Sequence, residues 1–180
     1  MPSTANAPGF RVVVMGAGAV GGYLGGLLAR AGNIVTLIAR GEHLSAIQKH
    51  GLRVRGQGVD FVTPVRATDR TDDVGPVDLV LFTVKTYHNQ EAIPLLGPLL
   101  GDSTTVLSLQ NGAESWKQIQ KRLGTGYVLP GAIYLEVKVE APGIVRQQGS
   151  VYRMVFGEVD GSETARCRSI AEMFEAAGMP

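Results

Sequence analysis

Residues 12–29 carry no charge between Arg11 and Arg30, and six of these eighteen positions are glycine. The length approaches that of a membrane-spanning helix. Its internal order argues against that reading: the stretch opens on the β-branched run Val12-Val13-Val14, and no Lys or Arg precedes Arg11 to form the basic start of a signal peptide. A buried strand turning into a buried helix accounts for both features. The turn reads Gly16-Ala17-Gly18-Ala19-Val20-Gly21, a G-x-G-x-x-G between a strand pattern and a helix pattern. There Gly16 suits the tight turn, Gly18 lets the backbone approach a pyrophosphate, and Gly21 lets the helix pack on the strand, with the helix N-terminus facing the anion. Gly22, Gly25 and Gly26 follow in the same helix. Each costs up to about 1 kcal/mol of helix propensity relative to alanine, which points to close packing of this helix on the sheet.

The rest of the chain repeats the alternation. Residues 34–39 form a second apolar, β-branched run and residues 42–50 a helix closed by Gly51; residues 52–65, broken by glycines and Pro64, read as a small hairpin or irregular crossover. Residues 77–84 (VDLVLFTV) are almost continuously apolar, as a parallel strand buried on both faces should be. A helical stretch over 93–100 is interrupted by Pro94 and Pro98, a strand covers 105–109, and a helix runs from about Ala113 to Leu123. From 126 to 156 the pattern changes to alternation around a turn at Pro142-Gly143, and an amphipathic helix with Ser162 as its N-cap occupies 162–177. Residues 1–9 are small, polar and Pro-containing, and read as a flexible N-terminal arm on a domain spanning 10–180. The predicted fold is α/β: a Rossmann-type doubly wound, mostly parallel sheet with antiparallel strands added at one edge.

Ligands of such sheets sit at the carboxyl ends of the strands. An NAD site wants a carboxylate near the end of the second strand to accept the ribose 2′-hydroxyl, yet residues 33–41 (NIVTLIARG) hold no Asp or Glu, and Arg40 stands there instead. A guanidinium suits a 2′-phosphate, so NADP is favoured over NAD; the alternative is a solvated surface arginine. Lys85 follows the apolar run directly, and spacing alone makes it a surface lysine or a phosphate or substrate contact. Asn111-Gly112 is either an ordinary turn or, at another strand end, a donor to ribose or nicotinamide. His43, His50 and His88 lack metal-ligand spacing, so no metal is expected. Cys167 shares a helix face with Ile170, Ala171 and Phe174 and reads as core, and Trp116 as a packing residue.

Seventeen Lys plus Arg against sixteen Asp plus Glu leave a formal charge of +1, without the basic footprint that nucleic acid or an anionic membrane requires. The lone Cys167 leaves no internal disulfide and fits a cytoplasmic location. No nucleophile-elbow or P-loop motif supports a serine hydrolase or a P-loop enzyme.

Four ordered segments, GAGAVGGYLGGLLARAGNIVTLIARG, LVLFTVKTYH, LSLQNGAES and GAIYLEVKVEAPGIVRQQG, together resemble the N-terminal domain of the ketopantoate reductase (2-dehydropantoate 2-reductase) family, over residues 10–180. The resemblance implies reduction of 2-dehydropantoate to (R)-pantoate by NADPH. It assigns the pyrophosphate to the loop of Gly16, Ala17, Gly18, Ala19, Val20 and Gly21 and the 2′-phosphate to Arg40. Lys85 is placed in the cofactor and substrate cleft, and Asn111 at the nicotinamide end and the substrate. It also implies a second, helical domain, absent from residues 1–180, that supplies the general-acid lysine and most substrate contacts. On that expectation this chain alone binds NADPH and is inactive. His88 departs from the family, where Gln is common after the residue matching Tyr87, which bears on substrate identity. Two other functions stay open: a paralogue reducing another 2-oxo acid, and a non-catalytic module sensing NADPH. The expected partners are a small-molecule 2-oxo acid and a homodimer paired through a face that a second domain would otherwise cover.

Overall fold

A computed structural model describes residues 9–56, 58–112 and 114–179. Residues 1–8 of the expected arm, Gln57 of the stretch read as a hairpin or crossover, Ala113 at the expected helix start and Pro180 lie outside the described residues. The uncharged stretch folds as strand β1 (Arg11–Met15), the glycine turn and helix α1 (Ala19–Arg30). Among the described residues no helix is long and apolar enough to cross a membrane. Strand β2 (Ile34–Ile38), helix α2 (Gly41–His50), the hairpin β3 (Leu52–Gly56) and β4 (Val59–Thr63), and the short β5 (Arg66–Thr68) follow. Next come β6 (Leu79–Phe82), the short helix α3 (Asn89–Ala92), β7 (Thr105–Ser108) and helix α4 (Ser115–Leu123), then β8 (Val128–Ala141), β9 (Ile144–Phe156) and helix α5 (Ala165–Ala176).

Among the described residues one nine-stranded sheet runs in the order β4-β3-β9-β8-β7-β6-β1-β2-β5. The pairs from β8 through β7, β6, β1 and β2 to β5 are all parallel. At the other edge β8 pairs antiparallel with β9, and β3 antiparallel with β4. Thus the mostly parallel sheet with antiparallel additions is what the chain forms. Strand β8 makes the transition: residues 128–130 lie parallel to β7, and from Gly131 onward the strand runs antiparallel to β9 around the turn at Pro142-Gly143. The expected hairpin over 52–65 is present, joined to the sheet through a parallel β3–β9 pair rather than to the central strands.

Alternation along β1 sorts its side chains into two layers. Val12 and Val14 join the core under α1 and α5, while Val13 and Met15 join Ile119 of α4 and Leu96 and Leu99 on the opposite face. This is why the run needs no polar residue: both faces are covered. Helix α1 shows what its glycines are for. A Cβ on Gly25 would come within 2.7 Å of Leu37 Cδ2 and 3.0 Å of Val14 Cγ2, on the parallel strands. A Cβ on Gly22 would come within 2.9 Å of Val145 Cγ1, and one on Gly26 would overlap Val54 Cγ2, both on the antiparallel extension. The helix is therefore wedged between two parts of the sheet, and each glycine pair at i, i+4 opens one flank.

Two sequence expectations shift. The predicted helix over 93–100 is instead a 3₁₀ segment over Pro94–Leu99 that follows the single turn α3, because Pro94 and Pro98 each remove a backbone donor from the i→i−4 ladder. Helix α5 starts at Ala165, and its N-cap is Thr164 rather than Ser162. The Thr164 hydroxyl accepts from the Cys167 amide at 3.4 Å and donates to Glu158 Oε1 at 2.7 Å, while Arg166 Nε binds the same carboxylate oxygen at 2.7 Å. That anchored carboxylate selects Thr164 over a serine whose own amide is bound to Asp160 at 2.9 Å. Ile170 and Phe174 are buried as expected, with Cys167 and Trp116 half-buried against the two cores. Gly9, the described end of the arm, sits against the α1–β2 turn, where a Cβ would come 2.5 Å from the Gly32 carbonyl oxygen.

Candidate functional site

The carboxyl ends of β1, β2, β6 and β7 converge on a cleft of about 660 Å³. Gly16, Ala17, Gly18, Ala19 and Val20 form its floor, Arg40 stands at the end of β2, and Lys85 and Asn111 lie beyond β6 and β7. The structure thus brings these sequence-selected residues to one place. Gly21 is the exception: it is buried behind the loop and does not line the cleft.

The glycine turn is built by local necessity. Gly16 has φ +97°, a left-handed conformation, and a Cβ there would lie 2.7 Å from Val84 Cγ1. Gly21 faces inward, where a Cβ would overlap the Gly16 carbonyl oxygen and come within 2.5 Å of Thr83 Oγ1. Gly18 faces outward, with nothing within 4 Å of its missing side chain. Thr83 locks the turn from β6: its hydroxyl donates to Gly16 O at 2.8 Å and its amide to Met15 O at 3.0 Å, while the Ala17 amide donates to Ile38 O at 2.8 Å. Above the turn, α1 begins with no side-chain cap and no acidic residue in its first turn. Its first amides therefore face the cleft without a competing anion, as an anion-binding helix N-terminus requires.

Arg40 is the extended N-cap residue of α2. Its Nη1 lies 3.4 Å from Glu91 Oε2 of α3, both side chains being 64% exposed, and His88 Nδ1 lies 3.9 Å from the same oxygen. So exposed and long a pair holds Arg40 only weakly, and the rest of its guanidinium stays open to a ligand. Lys85 is exposed and opens the 3₁₀ turn that carries Tyr87 and His88, two neighbouring rings with centroids 4.5 Å apart at the cleft mouth. The opposite wall is apolar: Ile133, Leu135, Val137 and Val139 of β8 face the glycine turn across the cleft.

Sequence reasoning missed that wall, together with Thr83, Gln110 and His43. Alternation in β8 was a readable signal of a two-faced strand, but the partner of either face was not. His43 of α2 lines the cleft and accepts the Gly143 amide at Nδ1, at 3.0 Å, tying α2 to the β8–β9 turn. Burial holds this imidazole below the usual histidine range, against a smaller opposing effect of the Ala17 backbone. The folded state then binds fewer protons than the unfolded chain near the ordinary histidine value, so His43 contributes stability above it that is lost as pH falls through about 6.5. Thermal unfolding measured from pH 8 to 5.5 is expected to show a falling midpoint, and His43→Gln, which keeps an acceptor but no titration, should flatten the fall. An unchanged slope in that variant would remove His43 as the cause.

Among the described residues no cluster of His, Cys, Asp or Glu could hold a metal ion. A nucleotide-sized cleft at the switch between strand ends, with a glycine turn, a free helix N-terminus and an arginine at the second strand, defines a dinucleotide-binding α/β domain. Within that class, residues 12–161 match the family model Ketopantoate reductase PanE/ApbA, and the chain belongs to this family. It is similar to the 2-dehydropantoate 2-reductase of Mesorhizobium japonicum, 34% identical across 94% of this chain and 58% of the relative. A crystal structure of a PanE/ApbA family ketopantoate reductase from Ralstonia eutropha is 40% identical, with a TM-score of 0.85 over 94% of this chain and 54% of that one. The 2-dehydropantoate 2-reductase structure from Porphyromonas gingivalis gives a TM-score of 0.89 at 34% identity over 95% and 62%. D-mandelate dehydrogenase in its ternary structure with NADH and anilino(oxo)acetate is 25% identical, with a TM-score of 0.79 over 93% and 55%. The chain spans about half the length of the relatives it matches.

Proposed function

We propose that this chain is the NADPH-binding domain of a reductase that converts 2-dehydropantoate to (R)-pantoate. The observation that carries the reading is the convergence of the glycine turn, Arg40, Lys85 and Asn111 on one cleft in a member of this family. The residues fit the cofactor: open space over Gly18 admits a pyrophosphate, the first turn of α1 offers unopposed amides, and Arg40 offers a guanidinium at the end of β2, where residues 33–41 hold no carboxylate to accept a 2′-hydroxyl. NADPH, when bound, supplies the hydride.

The chain's own groups bind, orient and screen. Backbone amides at the start of α1, from Gly18 to Val20, hold the pyrophosphate, and Arg40 pairs with the 2′-phosphate. The Lys85 ammonium attracts the carboxylate common to 2-oxo acids, and the Asn111 carboxamide orients the nicotinamide end against it. Ile133, Leu135 and Val137 exclude water from the side facing these groups. The family resemblance places the general acid and most substrate contacts in the half of the relatives that these residues do not span. A cytoplasmic location and a small-molecule partner, rather than nucleic acid, suit the single cysteine and the formal charge of +1. The exposed Tyr134, Val151 and Val155 on the outer side of the β8–β9 hairpin are the face on which a homodimer would pair.

The likeness to D-mandelate dehydrogenase with a bound oxo acid favours one second reading, reduction of a different 2-oxo acid on the same scaffold. One experiment separates the two: NADPH oxidation by the full-length gene product, followed at 340 nm, with ketopantoate and with a panel of other 2-oxo acids. Fastest turnover of ketopantoate is expected; preference for another oxo acid would move the assignment to the second reading.

A further inference from the structure

Gln110 lies two residues beyond β7, is 7% exposed, and immediately precedes Asn111. Its Nε2 donates to the Val84 carbonyl at 2.7 Å and to Asn89 Oδ1 at 2.6 Å, and Asn89 Nδ2 continues the chain to Gln118 Oε1 at 2.9 Å. Both amide protons are used on acceptors, so the carboxamide has one orientation: turned over, its oxygen would face two oxygens. Its Oε1 is buried with no hydrogen-bond partner among the described residues, so donation alone sets the position of the group.

The acceptor matters more than the bond. Val84 backs Gly16, whose absent Cβ leaves room for it, and its carbonyl leads directly into Lys85. A single buried amide thus holds the segment that carries Lys85 against the segment that carries Asn111, and fastens both to α3. We propose that Gln110 is a positioning residue that sets the distance between Lys85 and Asn111, and so the fit of the nicotinamide half of the dinucleotide. The glycine turn does not depend on it, because Thr83 and the Ala17 amide hold that loop separately. Gln110 should therefore act on one half of the cofactor only. The inference rests on the reading of this cleft as an NADP(H) site.

The test is calorimetric titration of the 180-residue chain with NADP⁺ and with adenosine 2′,5′-bisphosphate, which presents only the adenosine half. In Gln110→Met, similar in size but without donors, NADP⁺ affinity should fall about tenfold while bisphosphate affinity stays within about twofold of wild type. Gln118→Leu breaks the outer link of the same chain at an exposed residue, and should leave the ratio of the two affinities unchanged. If Gln110→Met does not fold, Gln110→Glu serves: its protonated form regains one donor, so its selective loss relative to wild type should shrink between pH 8 and pH 5.5. Equal loss of both ligands, or no loss, in the folded Gln110 variant would overturn the positioning role. A wild-type chain that binds neither ligand would overturn the cofactor reading itself, and the positioning role with it.

Discussion

Replacing Arg40 by glutamate is expected to weaken NADP⁺ binding by about 100-fold or more while changing NAD⁺ binding by less than about threefold. The substitution removes charge-assisted hydrogen bonds worth roughly 1.5–3 kcal/mol and sets a carboxylate against a phosphate dianion, a repulsion of about 1 kcal/mol or more at a solvated site. Arg40 is 64% exposed, which puts the sum toward the lower end of that range. Exposure also means that salt screens it: the gap between wild type and variant should narrow between low and high ionic strength. Glu91 already stands 3.4 Å from this guanidinium, so the variant would place two carboxylates around the 2′-phosphate position. Equal losses for NADP⁺ and NAD⁺ would show that Arg40 supports the loop rather than reading the phosphate.

A second large effect separates packing from binding within six residues of sequence. Gly21→Ala is expected to cost about 3 kcal/mol of stability, because the new methyl group overlaps the Gly16 carbonyl oxygen and crowds Thr83 Oγ1 at 2.5 Å and Val14 Cγ1 at 2.7 Å. A backbone atom cannot yield as a flexible side chain does. For a domain of this size that cost lowers the melting temperature by about 6–12 °C. Gly18→Ala meets nothing within 4 Å and should change stability by less than about 0.5 kcal/mol. Its methyl group instead enters the space above the turn, and NADP⁺ affinity should fall about tenfold. Thermal unfolding and titration of both variants check the pair; a stable Gly21→Ala, or a Gly18→Ala that binds as wild type does, would contradict the division of roles.

Much of this architecture was legible in the sequence because burial on two faces leaves a strong mark. The runs at 12–15 and 79–82 need no polar residue, and the turn at Pro142-Gly143 separates two alternating strands, as the fold shows. What the sequence withheld depends on distant partners. The glycines of α1 announced a close approach, but half of it is to Val54 and Val145, far along the chain. Ser162 and Thr164 offer the same cap chemistry locally, and the choice between them is made by Glu158 and Arg166. In the site, Gly16 to Gly21 and Arg40 carried their own signals, a fingerprint and a missing carboxylate. Gln110 carried none: inside LSLQNG it reads as an ordinary polar residue before a turn, and only the meeting of the segments after β6 and β7 gives its amide two acceptors. Thr83 likewise looks like one more β-branched strand residue until its hydroxyl is seen to close the glycine turn.

An NADP(H) site read by Arg40 should reveal itself in calorimetric titration of the 180-residue protein with NADP⁺ and NAD⁺. NADP⁺ is expected to bind at least about ten times more tightly than NAD⁺. Equal affinity for the two, or binding of neither, would contradict it.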